Sequence, residues 1–173
     1  MPARAKVETA VIWAVFALYA AFLLKLLLFS RAPGSERSIN LIPFATIAEY
    51  AFSGSSATTR FAFGNVVGNI LLFIPLGAYV SFLRRRSTIA GNLLIIALVS
   101  VAVEVVQGVF GLGASDIDDV ILNCLGGLIG IMAFVALRAI LRDRRRVRTA
   151  MAVLSVIAVP VFSYVLFVIR LRM

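Results

Sequence analysis

The chain has 173 residues, of which 62% are apolar or aromatic and only 14% charged, and its mean hydropathy is +1.04. A soluble domain carries ~25% charged residues and a fold this small cannot hide so much apolar surface, which excludes a disordered chain and argues against a water-soluble globule. The class that remains is a polytopic membrane protein. Seventeen basic residues against eight acidic ones give a net charge of +9. The charge lies in short runs between apolar stretches, the pattern of membrane orientation rather than of nucleic-acid contact. The absence of His removes Ser-His, Cys-His and His-ligated metal chemistry, and the single Cys124 removes an internal disulfide and any multi-thiolate metal site.

Five apolar segments, residues 9–29, 65–83, 91–110, 119–141 and 149–169, each approach the ~20 residues that a helix needs to cross hydrocarbon. None alternates as a barrel strand would. The expected fold is an all-α integral membrane protein with five transmembrane helices in one domain over residues 1–173. Arg4 and Lys6 precede the first segment, Arg84–Arg86 follow the second, and Arg142, Arg144, Arg145, Arg146 and Arg148 separate the last two. With the amino terminus inside, ten flanking basic residues fall on the cytoplasmic side and five outside (Arg31, Arg37, Arg60, Arg170, Arg172). The first segment reads as a retained anchor, since no A-x-A-like site follows it. Residues 30–64 then form the longest outer connection. A structureless loop of that length is improbable, so its middle, with Glu49 and Tyr50, is expected to be interfacial or re-entrant, followed by a flexible Ser-rich stretch over 53–59.

The informative residues are the polar ones in or beside the spans, because lipid burial makes them costly. Asn65 and Asn69 lie four apart on the second helix, Glu104 and Gln107 three apart on the third, and Asn123 four beyond Asp119 on the fourth. Asp116, Asp118 and Asp119 crowd the connection into that fourth helix. The threading puts all of them at one depth near the outer surface, while the inner half is nearly free of polar side chains. Lys25 falls at the same level, where it either pairs with Glu104 or snorkels to the headgroups. One of the three Asp residues is expected to be a helix cap. Asn and Gln can bridge helices. Glu104, ionisable and two turns deep, reads as functional. Gly64, Gly68, Gly126 and Gly130 form small-x-x-x-small pairs for close helix approach. Pro75 should kink the second helix, and Cys124 reads as a small apolar filler.

Four blocks, Asn40–Phe44, Gly68–Gly77, Glu104–Gln107 and Asp116–Gly127, occur in an order and spacing that resembles the VanZ-like family over residues 35–135. The resemblance implies a multi-span protein of the bacterial plasma membrane, linked in some members to reduced susceptibility to teicoplanin and related glycopeptides. Many relatives carry Arg where this chain has Gly113, so an anion clamp there is absent or moved, with Arg37 or Arg60 as substitutes.

Three functions compete. In the first, Asn40, Asn65, Asn69, Glu104, Gln107, Asp116, Asp118, Asp119 and Asn123 line a site open to the outer leaflet. That site would bind an anionic lipid, a lipid-linked cell-wall precursor or a lipoglycopeptide antibiotic, serving resistance or envelope homeostasis. In the second, the chain is an intramembrane enzyme on a lipid-linked substrate. Glu104 would be its general base, with Asp116, Asp118 and Asp119 as hard oxygen ligands for Mg²⁺ or Ca²⁺. In the third, the polar residues only weld helices together in a structural or partner protein.

Overall fold

The computed structural model describes the backbone of residues 3–29, 39–45, 47–48, 56–84, 88–111 and 115–170, and their side chains apart from 29, 39, 56–64, 161–163 and 165–170. In chain order the elements are α1 (Ala3–Phe29), β1 (Ile39–Asn40), α2 (Ser56–Leu83), α3 (Ile89–Phe110), β2 (Ser115–Asp116), α4 (Ile117–Leu141) and α5 (Arg144–Arg170). The expected helical architecture is present. Four helices are long and apolar enough to cross a membrane: Ala3–Leu28, Asn65–Leu83, Ile89–Phe110 and Ile117–Leu141. The fold forms two compact units, residues 27–135 and residues 1–26 with 136–173.

In the first unit α3 and α4 are polar inside and apolar outside. The buried stripe of α3 carries Asn92, Ile96, Ser100, Val103, Glu104 and Gln107, while Leu94, Leu98, Val101, Val105 and Val109 are exposed. On α4, Asp118, Asp119 and Asn123 are buried and Leu125, Ile129, Met132 and Val135 are exposed. Water would reverse both arrangements. Only a hydrocarbon solvent rewards exposed Leu and Val while driving amides and carboxylates inward.

The helices α2 and α4 touch backbone to backbone. A Cβ at Gly126 would sit 2.1 Å from the Ile70 carbonyl oxygen, one at Gly130 1.9 Å from that of Ile74, and one at Gly77 2.0 Å from that of Gly127. The hydrogen in place of each side chain therefore points at a carbonyl, a Cα–H···O contact that recurs where helices pack closely. Two of the expected packing glycines, Gly126 and Gly130, do this; Gly68 does not, since a Cβ there would meet nothing within 4 Å, and Gly77 packs instead. Helix α2 runs through Pro75 and begins at Ser56, so residues 56–59 of the supposedly flexible stretch are helical. Helix α3 starts on Thr88, whose hydroxyl accepts from the Gly91 N–H at 3.0 Å, and stops on Gly111, in the left-handed region at φ 64°.

In the second unit the arginines expected to form a loop before the fifth segment are instead the first turns of α5. The connection from α4 is only Arg142 and Asp143. Arg142 takes a left-handed φ of 55°, and the Asp143 carboxylate caps α5 by accepting from the Arg145 N–H at 3.1 Å. Helix α1 likewise starts earlier than expected, at Ala3, supported by a salt bridge of 3.0 Å from Arg4 to Glu8 one turn on. Glu8 also receives Arg148 Nε and the Thr149 hydroxyl, each at 2.8 Å, which fastens α1 to α5.

Gly130→Val should drive α2 from α4, lowering the detergent-solubilised melting temperature and cutting membrane abundance several-fold, in line with an overpacking cost of about 1–3 kcal/mol or more. Gly68→Ala should leave both unchanged, as read by thermal unfolding and quantitative blotting of membranes.

Candidate functional site

All nine residues singled out from the sequence lie in the unit over 27–135, and hydrogen bonds tie several of them to one another across separate elements. Asp119, at the start of α4, accepts on Oδ1 from two amides of α2: Asn65 Nδ2 at 3.2 Å and Asn69 Nδ2 at 2.6 Å. One turn along α4, Asn123 donates from Nδ2 to the Ser100 hydroxyl of α3 at 2.8 Å. On α3, Glu104 accepts on Oε2 from the Asp116 backbone N–H at 2.8 Å. Asn69, Glu104, Gln107, Asp116, Asp118, Asp119 and Asn123 are all buried. Hydrogen bonds thus join α2 to α4 at Asp119, α3 to α4 at Asn123 and α3 to β2 at Glu104.

The loop residues complete it. Strands β1 and β2 pair in parallel, with Ile39 opposite Ser115 and Asn40 opposite Asp116. Asn40 uses both ends of its amide. Nδ2 reaches Asp116 Oδ1 at 3.4 Å, and Oδ1 accepts the Ile42 N–H at 3.1 Å in an Asx turn. Asp116 caps α4 by accepting the Asp118 N–H at 2.9 Å, the role expected of one of the three acids.

Asp118 is only 1% exposed and serves a different segment. Its Oδ1 accepts the Phe44 N–H and its Oδ2 the Ile47 N–H at 3.2 Å. Phe44 stands at φ 65°, a conformation unfavourable for a bulky side chain, so the buried carboxylate holds a turn that the residue alone would not adopt. The Asn40–Phe44 block and the Asp116–Gly127 block are therefore one structural device. Strand β1 and the turn lie in the connection over 30–64 where an interfacial or re-entrant piece is expected, and β2 lies in the connection between α3 and α4. Residues 49–55, with Glu49 and Tyr50, fall outside the described residues, as do Arg37, Gly113 and the side chain of Arg60.

The three Asp side chains turn to three different partners. Among the described residues no three His, Cys, Asp or Glu side chains come together as metal ligands would. Each of the four carboxylates accepts at least one hydrogen bond from the protein.

Two acceptors remain. Gln107 donates from Nε2 to the Leu27 carbonyl at 2.7 Å, but among the described residues its Oε1 is buried without a partner, and so is Oδ1 of Asn123. Turning the Gln107 amide over would set oxygen against oxygen at Leu27. Turning that of Asn123 would leave its nitrogen unpaired instead. Such orphans each cost about 1–3 kcal/mol when nothing else satisfies them.

Sequence reasoning missed Ser100, one turn before Glu104 on the same buried face, although its spacing of four was visible. It also expected the other end of α2 and α3 to be nearly free of polar groups. There, Asn92 donates to the Ser81 hydroxyl at 3.0 Å and accepts from Arg84 at 3.2 Å, joining the two helices a second time. Lys25 is exposed on α1.

Lipid-facing Leu and Val around a buried polar cluster on three helices define a multi-pass helical membrane protein. The chain belongs to the VanZ/LLP1 family, whose model matches residues 16–142. It is similar to Protein VanZ of Enterococcus faecium, 29% identical over 99 residues that make up 57% of this chain and 53% of that protein. The match thus spans about half the length of that relative. No solved structure matches. Family and spans together place the protein in the bacterial plasma membrane.

Asp118→Ala should free the 44–47 turn while leaving the helices in place. The loss of two hydrogen bonds to a charged group is worth about 1.5–3 kcal/mol each, so hydrogen exchange at the Phe44 and Ile47 amides should quicken at least tenfold.

Proposed function

We propose that the polar cluster receives the headgroup of an amphiphile from the outer leaflet, and that the groups it recognises are hydrogen-bond donors: sugar hydroxyls, peptide N–H groups or an amine. The observation that carries this reading is the pair of buried orphan acceptors, Gln107 Oε1 and Asn123 Oδ1. Glu104 lies one turn before Gln107 on α3 and Asp119 one turn before Asn123 on α4, and both carboxylates also favour donors. A lipid-linked cell-wall precursor and a lipoglycopeptide both present hydroxyls and amides on an apolar anchor. A simple anionic lipid offers fewer donors and would face four carboxylates. The family's association with teicoplanin susceptibility agrees with such a ligand, and binding it would serve resistance or envelope homeostasis.

The reading includes the threading with five crossings and the amino terminus inside. Exposed Val153, Leu154, Val156 and Ile157 on α5 support a fifth crossing, and the basic bias supports the direction. In a Cys124→Ser background, Ser35→Cys should react with a membrane-impermeant maleimide in intact cells, whereas Arg144→Cys should react only after permeabilisation.

Gln107→Met keeps bulk and removes the free acceptor. In full-length purified protein titrated with teicoplanin it should weaken affinity about five- to twentyfold at unchanged membrane abundance. Unchanged affinity, or no binding by the parent protein to teicoplanin or to a lipid-linked disaccharide-peptide precursor, overturns the proposal. Glu104→Gln retains an acceptor for the Asp116 N–H and separates the alternatives. Partial loss of affinity fits a binding site, and complete loss of function in a normally abundant protein fits a general base.

A further inference from the structure

The second unit, residues 1–26 and 136–173, holds a groove of about 780 Å³ that the reading above does not use. Apolar Leu137, Leu141, Val153 and Leu154 line one part of it, its floor, and Arg4, Arg145, Arg146 and Arg148 with a single carboxylate, Glu8, line the charged part, its rim. All five rim residues lie outside the 16–142 stretch matched by the family.

Glu8 organises the rim rather than neutralising it. Arg4 and Arg148 both meet it through Nε, at 3.0 and 2.8 Å, which leaves the terminal NH₂ groups of each guanidinium as donors. Arg145 and Arg146 are exposed, and among the described residues their guanidinium groups bond to nothing. Four guanidiniums over an aliphatic floor match one chemistry: a phosphate ester that carries acyl chains. A free anion would have no use for the floor, and a neutral lipid none for the rim. Basic pockets between helices at the cytoplasmic surface are where anionic headgroups are captured, and the charge bias assigns this end of α1 and α5 to that surface.

We infer that this groove is a binding site for an anionic phospholipid of the inner leaflet, with Arg145 and Arg146 contacting the phosphate and the Leu137–Leu154 floor taking the upper acyl chain. The inference shares the amino-terminus-inside threading with the outer-leaflet reading, but none of its residues belongs to the polar cluster.

The full-length protein in neutral detergent is titrated with fluorophore-tailed phosphatidylglycerol and, separately, phosphatidylcholine, and binding is followed by anisotropy. Phosphatidylglycerol should bind at least about tenfold more tightly. Arg145→Gln with Arg146→Gln should bring the two lipids to within about twofold, whereas the charge-matched pair Arg138→Gln with Arg144→Gln, outside the groove, should preserve the preference. Equal binding of the two lipids by the parent protein overturns the inference and needs no variant to fold. Equal loss in both variant pairs overturns it too, because the effect would then be general surface charge. Displacement of the anionic lipid by about 10 mM inorganic phosphate likewise overturns it in favour of a free-anion site.

Discussion

Inside hydrocarbon a polar group has no water to fall back on, so every buried amide and carboxylate has to find its partner within the protein. In the unit over 27–135 the partners come from other elements. Asn65 and Asn69 meet Asp119, Asn123 meets Ser100, Glu104 meets the backbone of Asp116, and Asp118 meets that of Phe44 and Ile47. These bonds fix α2, α3 and α4 in register with one another and with the β1–β2 pairing. The Gly126 and Gly130 contacts bring α2 and α4 close enough for the short Asn side chains to reach Asp119.

The cluster is economical in a way that bears on its chemistry. Most of its groups are committed: Asp116 to the cap of α4, Asp118 to the turn, Asp119 to two amides. A site built for catalysis by these carboxylates would spend fewer of them on holding backbone. A cluster built only to hold helices would have no reason to leave Gln107 Oε1 and Asn123 Oδ1 unpaired. Cohesion with two acceptors held back is the feature on which the proposed recognition site rests.

Much of this was legible in the sequence because membrane helices obey a simple rule. Asn65 and Asn69, Glu104 and Gln107, Asp119 and Asn123 each sit three or four apart, so each pair shares a helix face, and in lipid a shared polar face has to point inward. What was not legible has physical causes as well. Ser100 is small enough to be tolerated anywhere in a span, so its spacing of four from Glu104 was its one mark as a partner. The role of Asp118 depends on a turn 71 residues away, which no local pattern encodes. The arginines of α5 looked like a loop because charge usually ends a span. Yet Arg is a good helix former, and Asp143 supplies the cap that lets the helix start among them.

Two units of one small chain therefore carry complementary chemistries. The unit over 27–135 presents oxygen acceptors and carboxylates, which select donors. The unit that contains α5 presents guanidinium donors over an apolar floor, which select acceptors such as phosphate esters. Selectivity of this kind works by exclusion as much as by attraction, since each set of groups would be left desolvated and unpaired by the other's ligand. A bare phosphate, which offers acceptors and negative charge, has no favourable place among Glu104, Asp116, Asp118 and Asp119. Half of the acids lie in residues 104–119 and five arginines in residues 142–148, so the charge pattern that signals orientation also keeps the two sets of groups apart along the chain.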